Sequence, residues 1–168
     1  MIYLGLKRLI PLSTETEKRI EKLDLNFTKG ETNLFNNLAK EILLVTDDKI
    51  DAEAIKSPNK KVLAMKTENY NHLGNSAGQD NIGQIISSLI SFKRLKEELK
   101  SDYKGGILLI DEIDSTLYAA TQIKLIQVLN RYAESLKLQV VFTTHSVEIL
   151  EYVSDEINSN SFLGKKSN

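Results

Sequence analysis

Apolar positions along the chain change period several times, and each change marks an element. Ile2, Leu4, Leu6 and Leu9 alternate and cluster ahead of Pro11, a strand pattern closed by a turn. Ser13 and Thr14, followed by Glu17, have the form of a helix-opening cap, with Ile20 and Leu23 on one face of a short charged helix. Across residues 31–45, Leu34, Phe35, Leu38, Ile42 and Leu43 fall at helical spacing. Residues 50–55 and 61–65 read as the two arms of a hairpin around Ser57, Pro58 and Asn59. A polar, glycine-punctuated loop over 71–80 then opens a long amphipathic helix. Its stripe is Ile82, Ile85, Ile86, Leu89, Phe92, Leu95 and Leu99.

The second half of the chain carries a strand–helix–strand pattern. Gly105 and Gly106 introduce the continuous apolar run 107–110, of the kind that fills a strand buried on both faces. A helix over 121–136 leads to a second apolar strand, 138–142, and then to a short helix through Tyr152. Two such strands joined by a crossover helix predict parallel neighbours in one sheet covered on both faces. Residues 1–153 read as one α/β unit and residues 154–168 as a polar tail. Ligands of such sheets bind beyond the carboxyl ends of the strands. Asp111, Glu112, Thr143, Thr144 and His145 all lie at those ends.

Composition narrows the function classes. Of 168 residues, 22 are Lys or Arg and 23 Asp or Glu, so no strong overall field draws the chain to nucleic acid or membrane. Cysteine is absent, which removes disulfides, thiolate metal sites and a Cys nucleophile. No run approaches the ~18 apolar residues of a membrane span. The opening residues are apolar ahead of Lys7 and Arg8, the reverse of a secretory leader. The expectation is a cytoplasmic protein with no membrane partner.

The candidate chemistry lies in four short stretches. An aspartate that ends a buried strand, Asp111, suits Mg²⁺, a hard cation that prefers oxygen ligands and keeps several waters. The next carboxylate, Glu112, is placed to polarise an attacking water for phosphoryl transfer. Ser76, Ala77, Gly78 and Gln79 precede a long helix, where glycine-flanked amides and a hydroxyl make an anion cradle. His145, just past the second strand, suits a hydrogen bond to a terminal phosphate or a water. Taken singly, each has a plainer reading as solvated strand end, helix cap or polar turn residue, and Asp114 by itself is an ordinary helix cap.

Their order is more specific than any one of them. A Ser-Ala-Gly-Gln stretch before a helix, an apolar strand ending Asp111-Glu112, Asp114 just after, and a strand ending Thr143-Thr-His-Ser146 together resemble the C-terminal half of an ABC-type ATPase domain. Within that superfamily the chain is most similar to the RecF/OLD-like AAA-family ATPases of bacterial DNA repair and anti-phage defence. The resemblance runs from Gly74 to about Leu150 and extends more weakly to residues 3–11. It implies a P-loop-NTPase α/β fold, a parallel sheet with flanking helices, and ATP and Mg²⁺ as cofactors. Ser76–Gln79 would be the signature motif facing the γ-phosphate of ATP on the opposite subunit, and Asp111 the Walker B aspartate for Mg²⁺. Glu112 would be the base, Asp114 part of the loop crossing the dimer interface, and His145 the γ-phosphate switch. The family usually has Ser-Gly-Gly-Gln where this chain has Ser-Ala-Gly-Gln. No long heptad region separates residues 12 and 70, unlike SMC-like members.

No Gly-x-x-x-x-Gly-Lys-Ser/Thr occurs among the 168 residues. The resemblance then implies a domain lacking its N-terminal P-loop lobe, as a fragment, a split protein or a truncated product. The partners expected are that lobe or a P-loop-bearing chain, a second copy in a homodimer or higher oligomer, and DNA with an effector nuclease. Two other readings stay open. Asp111-Glu-Ile-Asp114 also matches the Asp-Glu-x-Asp of helicase motors, although that leaves Ser76–Gln79 and His145 unused. A non-catalytic assembly module with a vestigial acidic site would also lack a P-loop. A nuclease is disfavoured, because no metal-cluster pattern lies outside the Asp111 segment.

Overall fold

The computed structural model describes residues 1–6, 21–22, 27–45, 51–56, 61–66 and 77–158. The described strands form two small sheets. The first contains β1 (Ile2–Leu4), β5 (Gly106–Ile110) and β6 (Leu138–Phe142), in the order β1-β5-β6 and parallel throughout. The second contains β2 (Glu21–Lys22), β3 (Asp51–Lys56) and β4 (Lys61–Lys66), antiparallel in the order β2-β3-β4. The helices are α1 (Lys29–Leu43), α2 (Ala77–Leu99), α3 (Ala119–Ser135) and α4 (Val147–Asn158). None of the described helices is long and apolar enough to cross a membrane.

The parallel sheet places the site. Ile2, Leu4, Leu108, Ile110, Val140 and Phe142 face one way by their shared register and join the core. Against them pack Phe35 and Ile42 of α1, Ile82, Ile85, Ile86 and Leu89 of α2, and Leu125 and Leu129 of α3. Each such side chain contributes ~1.5–3 kcal/mol when fully buried. The expectation that both faces would be covered is not met. Tyr3, Ile107 and Val141 point the other way and are 62%, 39% and 48% exposed. The core side chains of α1, α2 and α3 cluster with Leu108 and Ile110, while alternation along β5 turns Ile107 and Leu109 to the other face.

Helix α1 starts where its capping chemistry dictates. The Thr28 hydroxyl accepts from the Glu31 amide at 3.3 Å, and a Glu31 carboxylate oxygen accepts from the Thr28 amide at 2.8 Å. Glu31 is also held by Arg94 of α2, through its Nε and through Nη2 at 2.8 Å, and the Arg94 guanidinium lies 4.9 Å from the Phe27 ring centre. Entry to β5 needs glycine at 105. Its φ is +102°, and a Cβ there would lie 2.2 Å from the Lys137 carbonyl oxygen.

Four expectations need correction or completion. The short helix expected across residues 13–23 fails where it is described: Glu21 and Lys22 are a strand paired with Lys56 and Ile55. Long-range pairing outweighs local helix propensity there. The α2 stripe ends at Phe92, since Leu95 and Leu99 are 40% and 41% exposed where the helix outruns the core. Helix α4 continues through Asn158, so residues 154–158 belong to it rather than to a tail. The hairpin forms as β3 and β4, with its turn residues 57–59 outside the described residues.

Candidate functional site

Strand β5 stops at Ile110 because the chain then turns around Thr143. The Thr143 amide donates to the Ile110 carbonyl at 3.0 Å, and the Ile113 amide donates to the Thr143 carbonyl at 3.0 Å. The Asp111 amide donates to the Leu4 carbonyl at 3.0 Å, which ties the turn to β1 as well. Ile113 is fully buried and anchors the turn in the core. Asp111 and Glu112 therefore leave the carboxyl end of β5 between the ends of β1 and β6, half-buried.

Hydroxyls organise the carboxylates. The Thr143 hydroxyl donates to Asp111 Oδ1 at 2.7 Å and accepts from the Glu112 amide at 2.7 Å. The Ser115 hydroxyl donates to Glu112 Oε2 at 2.8 Å. Glu112 has φ +49° and Thr116 φ +71°, left-handed conformations uncommon for non-glycine residues. Asp114 Oδ1 accepts from the Thr144 hydroxyl at 2.6 Å and from the His145 amide at 3.1 Å. Burial pushes the Asp114 carboxyl up, but these bonds and the nearby His145 outweigh it and hold the group below the ordinary carboxylate value. His145 itself is exposed.

A buried glutamine that the sequence did not single out holds the loops together. Gln122 of α3 donates to the Leu117 carbonyl at 2.9 Å and the Asp114 carbonyl at 3.3 Å, and its Oε1 accepts from the Ser146 hydroxyl at 2.6 Å. The Ser146 hydroxyl in turn accepts from the Ile149 amide at 3.2 Å, capping α4. Thr143 was placed at the strand end by the sequence, but its bridging hydroxyl joins residues 31 and 32 positions apart, which no local pattern reveals.

The start of α2 approaches the same loop. Asn81 Nδ2 donates to the Ser115 carbonyl at 3.1 Å. Gly78 is buried, and a Cβ there would lie 2.6 Å from the Thr116 carbonyl oxygen. Ala77 and Gln79 are half-buried in the first turn of α2, and Ser76 lies outside the described residues. So the structure gathers Asp111, Glu112, Asp114 and His145 at one sheet edge, with Ala77–Gln79 against the loop that follows.

Above the strand ends, on the open face, is a hollow of about 200 Å³ lined by Tyr3, Leu109, Asp111, Val141 and Thr143, among others. No three of His, Asp and Glu converge as a metal cluster among the described residues. One carboxylate with a hydroxyl beside it instead suits Mg²⁺ carried in mostly by water and phosphate oxygens. Asp111 is an oxygen donor of the kind such an ion takes.

Residues 84–151 match the model of a family described as "AAA domain, putative AbiEii toxin, Type IV TA system". The match spans Asp111, Glu112, Asp114 and His145 and leaves Ser76–Gln79 outside it, and it supports an AAA-family ATPase domain. A three-stranded parallel sheet with flanking helices is compatible with that domain. No curated protein matches the chain.

Proposed function

We propose that the chain supplies the Walker B, switch and signature half of an ATP-hydrolysing domain of the RecF/OLD-like kind, acting in DNA repair or anti-phage defence through ATP-dependent dimerisation. The observation that carries this reading is the meeting of Asp111, Glu112 and the His145 loop at the carboxyl edge of two adjacent parallel strands. Mg²⁺ bound with ATP would supply charge neutralisation at the phosphates. Asp111 would hold it. Glu112, with one oxygen held by Ser115, takes the proton from the attacking water. His145 would hydrogen-bond the terminal phosphate, and Ser76–Gln79 would serve the nucleotide of the opposite subunit.

The experiment is ATP hydrolysis by the chain combined with a P-loop-bearing segment or partner. Glu112→Gln should slow turnover ~10²–10⁴-fold while nucleotide stays bound, because Gln keeps the size but cannot take a proton. Asp111→Ala should weaken Mg-ATP binding itself. A Glu112→Gln complex turning over at the wild-type rate refutes the role given to this carboxylate. The lack of a P-loop among the 168 residues favours one further reading, a non-catalytic module that completes a partner ATPase. That reading expects partner binding with no effect of Asp111 or Glu112 substitutions on turnover.

A further inference from the structure

Two consecutive threonines each spend their hydroxyl on a different part of the loop after β5. Thr143 donates to the Asp111 carboxylate and accepts from the Glu112 amide, both at 2.7 Å. Thr144 donates to the Asp114 carboxylate at 2.6 Å and accepts from the Ser146 amide at 3.0 Å. The same Asp114 oxygen takes the His145 amide at 3.1 Å. Each hydroxyl thus uses its single proton and one lone pair. Between them lies Glu112 at φ +49°, a backbone state that is unfavourable for a non-glycine residue and persists only when its surroundings hold it. The Thr143 hydroxyl is what holds its amide.

We propose that Thr143, Thr144 and Asp114 are positioning residues, a hydroxyl–carboxylate brace that fixes the backbones of Glu112 and His145 as one unit. The proposal rests on reading Glu112 and His145 as the hydrolytic base and the phosphate switch. Its functional content is that a displacement of His145 is carried to Glu112 through loop 143–146, so the base is aligned only while the switch is seated. Asp114, by this geometry, faces inward to the switch loop and supports it, in addition to any part its loop plays at a dimer interface.

The test begins with the 168-residue chain and no nucleotide, by amide hydrogen exchange resolved at Glu112 and His145. Thr143→Val keeps the side-chain shape and removes both bonds, and should speed exchange at Glu112 by about tenfold or more and measurably at His145. Thr144→Val should do the converse. Thr143→Ser and Thr144→Ser keep the hydroxyls and should stay near wild type. Unchanged exchange at Glu112 in Thr143→Val, or effects confined to the substituted loop, overturns the brace. If a valine variant does not fold, the serine variants decide: wild-type exchange there supports the brace, and loss of protection overturns it. In an ATP-hydrolysing complex, Thr143→Val should lower kcat ~10²-fold with KM for ATP little changed, as expected for a misplaced base. A complex that hydrolyses no ATP refutes the functional reading while leaving the exchange result intact.

Discussion

At position 78 a single methyl group decides how closely α2 approaches the loop after β5. An alanine Cβ would meet the Thr116 carbonyl oxygen at 2.6 Å and the Leu117 side chain at 3.3 Å. Thr116 is already at φ +71°, so the loop has little freedom to yield. Gly78→Ala should therefore destabilise the fold by ~1–3 kcal/mol, the range for overpacking, and shift the resonances of residues 113–117. Urea unfolding checks the first part, and a variant as stable as wild type refutes it. Asp114 belongs to the same scale. Its carboxyl is held below the ordinary value, so the charged form is favoured by folding; that stability is present at neutral pH and fades as acid protonates the group.

Helices α1 and α2 are joined by a lock whose parts come from three elements of sequence: Phe27, the Thr28–Glu31 capping box, and Arg94. The Arg94 guanidinium bound to Glu31 lowers the Glu31 carboxyl from 4.5 to about 2, with the Thr28 bonds adding to it against the cost of burial. A depressed carboxylate stabilises the fold above its unfolded pKa and loses that contribution as pH falls through the folded one. Because Arg94 is half-exposed, solvent screening reduces the effect to ~1–2 kcal/mol. Glu31→Gln should cost about that much at pH 7, and the gap from wild type should close between about pH 4.5 and 2. A gap unchanged at pH 2.5 by urea titration refutes the assignment. Elements with a strong local period, α1, α2, α3, β5 and β6, were legible from the chain, as were the carboxylates at the end of β5. The two-residue β2 was not, because its pairing with β3 is decided by tertiary contact. The Thr143 bridge, the buried Gln122 and the anchor Ile113 were equally hidden, because each depends on loops brought together by parallel strand pairing.

At the scale of the molecule, the parallel sheet keeps one apolar face open, with Tyr3 and Val141 well exposed beside the hollow at the strand ends. Among the described residues β6 pairs only with β5 and stands at the edge of the sheet. Such a surface should drive self-association, and Tyr3→Lys with Val141→Lys should reduce it in sedimentation velocity. Equal sedimentation of wild type and variant refutes this. The 168-residue chain alone should show no ATP turnover, for want of a phosphate cradle, and robust Mg-ATP hydrolysis by a pure sample refutes the half-domain reading. The register of β1 carries one more consequence, for the order in which the chain folds. Ile2 pairs with Leu108 and Leu4 with Ile110, so β1 must wait for a partner about a hundred residues downstream. At ribosomal speeds that wait is on the order of 5–20 s, and closing so long a loop is slow even for a complete chain. Strand β1 is then a late arrival that seals a nucleus already built around β5 and β6. Leu4→Ala should accordingly hasten unfolding while leaving the refolding rate nearly untouched, the kinetic mark of a contact made after the barrier has been crossed.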